Sequence, residues 1–502
     1  MGNLLDKKWY NYSSRQRMSP FPNYLSMESI SNQMKDIAGF AYTAVPMVYQ
    51  NNMQTIFVEE KEMKIAAEIV MEVVKNNPQF FKERSKEMKQ LGDEFITKLK
   101  SINPIDLTAM TNDDLAGLFD YYKNSYQQIY PRYFPILCIE THLMEDLKSI
   151  IDKRKLPEEI SSEYFTILTT QPKAMVNLHE ELARLNILEK ILLNKQWLDL
   201  FMHNVSFEKI QEFPELMRLI ECHQKEFFWV TRDYEDPILT IQDVIIRLSN
   251  NVKNKDIEII RKKREIVDKH DERVGVAQKE LKMTAAEVLK FEIMRDGMYN
   301  KEQRKTIVSQ SLYYFDKVLE EVAKRTGITL KLIRFMKMDE VLGALNGKEI
   351  KRTLEDRYEL SIWLPVKGGE TQVLTGKEAK KWEEKLFGID VKADFIQGMG
   401  ISKGIVTGTA RLMMNPNEAN RINKGDIIVT VQAVPSFSPA ISRAAGIVAD
   451  GGTGLTSHTA TLAREAKIPG VTCAKIATKL IKNGDVIEVN GDTGLVKIIK
   501  RI

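Results

Sequence analysis

One of the chain's six histidines, His458, sits in the stretch "GGTGLTSHTATLAREAKIPGV". Gly451, Gly452 and Gly454 permit positive φ and close approach of backbone to a ligand. Thr456 or Ser457 supplies a helix N-cap, which puts His458 in the first turn of the helix that follows. Unbonded backbone N–H groups and the positive dipole end make that turn a ready anion site, phosphate included. The same positive end disfavours imidazolium, so the ring keeps a free lone pair near neutral pH. A neutral imidazole with an open nitrogen is a competent nucleophile toward phosphorus. Arg464, in the second turn, is placed to neutralise charge on a phosphorylated ring.

No other residues group this way. His142, His179, His203, His223 and His270 show no ligand spacing and read as structural or surface residues. Cys138, Cys222 and Cys473 lie far apart, with no CxxC pair. Neither a disulfide framework nor a thiolate metal site is expected, and a reducing compartment is. No metal site is predicted.

The elements that must hold His458 differ in texture from those before them. From Gly398 to Ile502 there are 13 Lys/Arg against 7 Asp/Glu, and 13 of the chain's 26 glycines. The whole 502-residue chain carries a net charge of only +4. This shift predicts a boundary near 390–398 and a basic carboxyl-terminal domain suited to phosphate groups. Within it, "GIVTGTARLM", "GDIIVTVQAV", "GIVAD" and "GVTCA" read as strands, "SPAISRAAG" and "HTATLAREAK" as helices, and "GDVIEVNGDTGLVKII" as a hairpin.

Upstream, helical periodicity dominates from about Thr55 to Arg352, and residues 1–35 read as an irregular arm. Candidate helices include 79–101, 112–129, 135–153, 158–169, 175–193, 206–226, 238–281, 282–325 and 328–345. The charged piece "NKDIEIIRKKREIVDKHDERVGVAQKELK" alternates acids with bases and reads as a solvated helical hairpin rather than a nucleic-acid contact. "AGFAYTAVPMVYQNN" and the 22 methionines read as core, with lining of an adaptable pocket as the alternative. "RYELSIWLPVKGGETQVLTG" turns at Gly368-Gly369 as a β-hairpin, and "IDVKADFIQGMGISKG" contains a linker. The expected organisation is therefore multidomain. A large, mostly α-helical segment with a small hairpin (1–387) leads through a hinge (388–397) to an α/β domain (398–502). No signal peptide or membrane span is predicted, which makes a cytoplasmic protein the expectation.

The run "TSHTATLAREAKIP" resembles the histidine loop of the phosphoenolpyruvate-utilising enzymes, matching at Thr456, Ser457, His458, Ala460, Ala463, Arg464, Glu465, Ile468 and Pro469. "VQAVPSFSPAISRAAGIVADGG", "GISKGIVTGTARL" and "GDVIEVNGDTGLVKI" are similar to that family's flanking strands and loops. The resemblance thus covers all of 398–502 and implies a phosphohistidine swivelling domain in which His458 carries a phosphoryl group. Two departures stand out: Gly451-Gly452 lie two residues further from the histidine than is usual, and Thr459 replaces Ala or Gly.

The family usually charges its histidine with an ATP-grasp domain, and its synthases and dikinases add a (β/α)₈ barrel; neither is visible in this sequence. The order helical segment, then carrier resembles rifampin phosphotransferases and the acceptor-and-carrier subunit of phenylphosphate synthase. By that resemblance the helical segment binds a small-molecule acceptor. A separate ATP-grasp partner brings ATP and Mg²⁺, with no cofactor in this chain and no nucleic-acid or membrane partner. "RDGMYNKEQRKTIVSQS" is similar to the family's basic helix, whose Arg/Lys pair lies near the acceptor phosphate. Arg295 matches the arginine, Tyr299 stands where the lysine would fall, and Lys301, Arg304 and Lys305 are nearby substitutes. Two other readings stay open: a component of a split phosphoenolpyruvate synthase or dikinase, and a non-catalytic helical scaffold or regulator.

Overall fold

The computed structural model describes all residues except 1, 51–52, 173–174, 204, 233, 388–393 and 452–456. The amino-terminal part is dominated by helices, as the periodicity predicts, and its longest is the 42-residue helix Ala285–Thr326. Three helix starts are written in the sequence as reciprocal capping boxes, Thr111/Asp114, Thr240/Asp243 and Thr284/Glu287. The long helix stops where Gly327 takes the left-handed conformation (φ 65°).

Two glycines let neighbours press onto the helices. A Cβ on Gly297 would lie 2.4 Å from Ile136 Cδ1, and one on Gly92 would lie 2.4 Å from Ile307 Cδ1. These contacts seat Phe80–Ile102 and Pro135–Asp152 against Ala285–Thr326, and with Asn112–Tyr133 they enclose one large apolar core. A second, separate core forms between Leu185 and Ile260. At its polar heart Glu180 accepts from Arg184 (2.9 Å) and Arg247 (3.0 Å) and lies 3.0 Å from His223 Nε2. His223 is therefore structural, as expected.

Two expectations are corrected here. Residues 1–35 are no irregular arm: they form strand β1 (Trp9–Gln16) and the buried helix Pro20–Asn32. β1 joins β2 (Met47–Gln50), β3 (Met53–Glu59), β4 (Ser361–Leu364) and β5 (Gln372–Leu374) in a sheet of order β1-β3-β2-β4-β5. The predicted hairpin is β4–β5, but it is one edge of a sheet whose other strands come from the first 60 residues. The predicted helix 238–281 is in fact three, Ile241–Asn254, Ile257–Asp268 and His270–Glu280. Lys255 breaks the first by turning left-handed (φ 59°).

The carboxyl-terminal part is an α/β domain. Its strands are β6 (Phe395–Gln397), β7 (Met399–Ser402), β8 (Ile405–Leu412), β9 (Ile427–Thr430), β10 (Gly446–Ala449), β11 (Gly470–Thr472), β12 (Val486–Asn490) and β13 (Leu495–Lys500). They line up as β6-β13-β12-β8-β9-β10-β11-β7. β6 falls in the stretch expected to be linker, yet it pairs with β13. The four central strands run parallel and the flanks antiparallel. Because side chains alternate across a strand, Val429 and Val448 face one apolar layer while Ile428 and Ile447 face the other. The second layer also takes Ala460 and Ala463 from the helix His458–Glu465, which fixes that helix on the sheet. No helix among the described residues is long and apolar enough to cross a membrane.

Candidate functional site

His458 opens the helix His458–Glu465 as its first residue. Of the two candidate caps, Ser457 is the one that acts. Its backbone is extended (φ −69°, ψ 155°) and its Oγ accepts from the Ala460 N–H at 3.2 Å. The helix start lies past the carboxyl end of β10, a central parallel strand, where open α/β sheets place their ligands. Gly452, Gly454 and Thr456 lie outside the described residues.

The foot of the loop is fixed on three sides. The Gly451 N–H donates to the Val431 carbonyl (2.8 Å), and its own carbonyl accepts from Thr472 Oγ1 (2.6 Å). Asp450, just before it, accepts from the Thr478 N–H (3.1 Å) and hydroxyl. Burial pushes the Asp450 carboxyl up, against the lowering effect of the Thr478 and Ala477 bonds, to about 6. Thr459, the departure from the family pattern, gains a structural account. Buried, its Oγ1 accepts from the Ala433 N–H at 3.0 Å and ties the helix start to the segment after β9.

Arg464 is exposed near the end of the same helix. Six residues on from His458, it stands roughly 120° around the axis and about 9 Å along it. Helix geometry thus sets the two positions on different sides.

The basic residues expected around the acceptor all lie on Ala285–Thr326 but are not gathered. Arg295 donates to the Leu168 carbonyl (2.8 Å), and burial lowers its affinity for a proton. Lys301 pairs with Glu140 (2.9 Å). Lys305 is half-buried. Arg304 lies nine residues beyond Arg295, about half a turn out of phase and hence on the opposite face. Its guanidinium sits 4.8 Å from the Tyr133 ring and 5.7 Å from the Tyr130 ring. Sequence reasoning missed this aromatic surround, because Tyr126, Tyr130 and Tyr133 come from another helix and Tyr234 from a loop between the two cores.

The α/β domain docks on the helical part through β1 and the helix Gly376–Phe387. Lys479 Nζ donates to Glu383 (2.6 Å) and lies 3.4 Å from the Phe387 ring centre. Lys475 stands over the Tyr10 ring at 5.1 Å. A Cβ on Gly451 would meet the Ser14 carbonyl oxygen at 3.3 Å, so β1 closes directly on the loop's foot. A cavity of about 280 Å³ remains at this seam, between Lys8, Trp9, Phe387 and Lys475. Among the described residues no group of three or more His, Cys, Asp or Glu could hold a metal ion.

A mixed sheet with a capped histidine helix at the end of its parallel strands, attached to a helical body, defines the class: an α/β domain of this topology on an α-helical part. Residues 422–494 match the family model "PEP-utilising enzyme, mobile domain". The chain is 30% identical over 218 residues to a probable phosphoenolpyruvate synthase of Archaeoglobus fulgidus, covering 38% of the chain and 29% of that protein. It is 42% identical over 101 residues to the probable phosphoenolpyruvate synthase of Pyrococcus abyssi (20% and 12%). It is 35% identical over 128 residues to the rifampicin phosphotransferase of Bacillus cereus (26% and 14%). The matched segments thus span less than a third of each relative's length.

Proposed function

We propose that the chain is the acceptor-and-carrier component of a phosphotransferase, with His458 as the group that is phosphorylated. The observation that carries this reading is the position of His458 as first residue of a Ser457-capped helix in a mobile domain of the phosphoenolpyruvate-utilising type. A neutral ring nitrogen attacks the transferable phosphorus of ATP held by a separate ATP-grasp protein with Mg²⁺. The N–P bond forms as the bond to the leaving phosphate breaks. The first-turn N–H groups and helix dipole stabilise the transferred charge. The domain then presents the phosphohistidine to a small-molecule acceptor on the helical part. The acceptor oxygen attacks phosphorus, the N–P bond breaks, and the acceptor's proton is released. Positioning and charge neutralisation supply most of the catalysis in such transfers. Arg295, Lys301, Arg304 and Lys305 are the candidate basics on the acceptor side.

The experiment combines the chain, an ATP-grasp protein encoded beside it and ATP labelled at both its β and γ phosphates, then adds acceptors. Label bound in acid-labile form, absent from His458→Ala and discharged by an acceptor, is the expected result. Equal labelling of wild type and His458→Ala would sink the assignment. The names of the archaeal relatives support a second reading, a split phosphoenolpyruvate synthase; it predicts label appearing in phosphoenolpyruvate.

A further inference from the structure

Most enclosed arginines of the helical part pair with a carboxylate, and Arg295, which does not, donates to the Leu168 carbonyl. Arg357 pairs with Glu340 (2.7 Å), Arg154 with Glu287 (2.8 Å), Arg184 with Glu180 (2.9 Å), Arg325 with Glu321 (2.9 Å) and Arg232 with Asp316. No carboxylate among the described residues pairs with Arg304. Its Nε is wholly buried and has no hydrogen-bond partner. The groups whose charge bears most on it are all phenols: Tyr133, Tyr130, Tyr234 and Tyr126. A guanidinium taken out of water without an anion costs several kcal/mol. Each of these other arginines has a carboxylate or a carbonyl, whereas Arg304 has aromatic faces and hydroxyls; that arrangement leaves a place for an anion that is not part of the chain.

The surround supports that reading from geometry. Tyr130 and Tyr234 share a hydrogen bond between their hydroxyls at 3.1 Å. Tyr234 is held there with a left-handed backbone (φ 59°), which a non-glycine residue adopts only when its surroundings impose it. Burial alone would raise the Tyr130 phenol, but Arg304, the Tyr234 bond and Arg15 outweigh it and hold the phenol below its ordinary value. Arg15 and Tyr12 belong to β1, the strand whose Ser14 touches the foot of the histidine loop. One strand therefore lies between Gly451, at the foot of the histidine loop, and the tyrosine-lined arginine.

We propose that Arg304, with Tyr130, Tyr133 and Tyr234, forms a binding site for a small oxyanion, the charged end of the molecule that receives the phosphoryl group. The site's role as an acceptor site rests on the carrier reading of His458; its capacity to bind an oxyanion does not. The oxyanion is a carboxylate the acceptor already bears or the phosphate it leaves with. Arginine's planar fork suits either.

The test is calorimetric titration of the full chain with inorganic phosphate in one arm and acetate in the other, alongside melting curves. Arg304→Met removes the charge, Arg304→Lys keeps it without the fork, and Lys324→Met, exposed near the end of the same helix, is the control. We expect Arg304→Met to weaken the preferred anion at least tenfold and to abolish anion-induced stabilisation. Arg304→Lys should bind with intermediate affinity, and Lys324→Met like wild type. Without anion, Arg304→Met should melt no lower than wild type, because it deletes an unpaired charge. Preference for phosphate marks the product end, and preference for acetate marks a carboxylated acceptor; either supports the site. Wild-type affinity in Arg304→Met, or no Arg304-dependent binding in either arm, overturns it. His458→Ala should leave the titration unchanged, so loss of the carrier reading and loss of this site are separately visible.

Discussion

The contact between Lys479 and Glu383 gives the most direct handle on how the α/β domain is held on the helical part. The two side chains are 19% and 12% exposed, and their 2.6 Å bond joins the helix Gly376–Phe387 to the α/β domain. Burial lowers the proton affinity of Lys479, and Glu383 opposes that shift. A surface pair contributes about 0–1 kcal/mol and breaking a buried one costs about 3–5 kcal/mol. This half-enclosed pair falls between, at roughly 2 kcal/mol. Glu383→Gln should therefore raise the ratio of undocked to docked molecules by about thirtyfold, since about 1.4 kcal/mol is a factor of ten. Spin labels at Lys64→Cys and Lys497→Cys, in a chain whose exposed Cys222 is replaced by Ser, report the separation by double electron–electron resonance. A second, longer distance should grow in Glu383→Gln but not in Glu384→Gln, one residue along and exposed. A distance distribution in Glu383→Gln identical to wild type refutes the reasoning, because the pair then contributes nothing to docking.

Other perturbations test the framework. Glu180 is pushed up by burial, but His223, Arg184 and Arg247 outweigh this and hold it at about 2 instead of 4.5. A depressed carboxyl stabilises the fold above its unfolded value, and that contribution drains away as pH falls from about 4.5 toward about 2. It amounts to about 3 kcal/mol, so Glu180→Gln should flatten the acid limb of a stability-versus-pH curve measured by urea unfolding. Thr459→Val leaves the buried Ala433 N–H without its acceptor and should cost about 1–3 kcal/mol, read as a lower urea midpoint. Gly297→Ala should destabilise by about 1–3 kcal/mol through overpacking, and adding Ile136→Val should recover part of the loss. Failure of that rescue in thermal melts would show that the 2.4 Å approach is not what limits the site.

Much of the architecture was legible because it is local. Capping boxes at Thr240 and Thr284, the stop at Gly327 and the apolar runs around Ile428 and Val448 each announce an element within a few residues. The amino-terminal sheet was not legible, because β1 acquires its meaning only beside β3, and β2 only beside β4, some three hundred residues away. The histidine loop follows the same rule. Its cap and nucleophile are contiguous and readable, whereas the Thr459–Ala433 tie is made between segments and is not. Arg304 could be named as a basic residue on a helix, yet nothing local distinguishes it from Lys301. Only packing shows that one has a carboxylate and the other has tyrosines.

The central claim is that His458 is the nucleophile, and it can be tested without any partner protein. Phosphoramidate transfers a phosphoryl group directly to accessible, neutral imidazole. The exposed His142, His179 and His203 serve as internal references in the same tube. Peptide mapping of the treated chain at neutral to alkaline pH should find acid-labile phosphate on the peptide bearing His458 first and fastest, and none there in His458→Ala. Labelling of His142, His179 and His203 at rates equal to or above that of His458 would contradict the account.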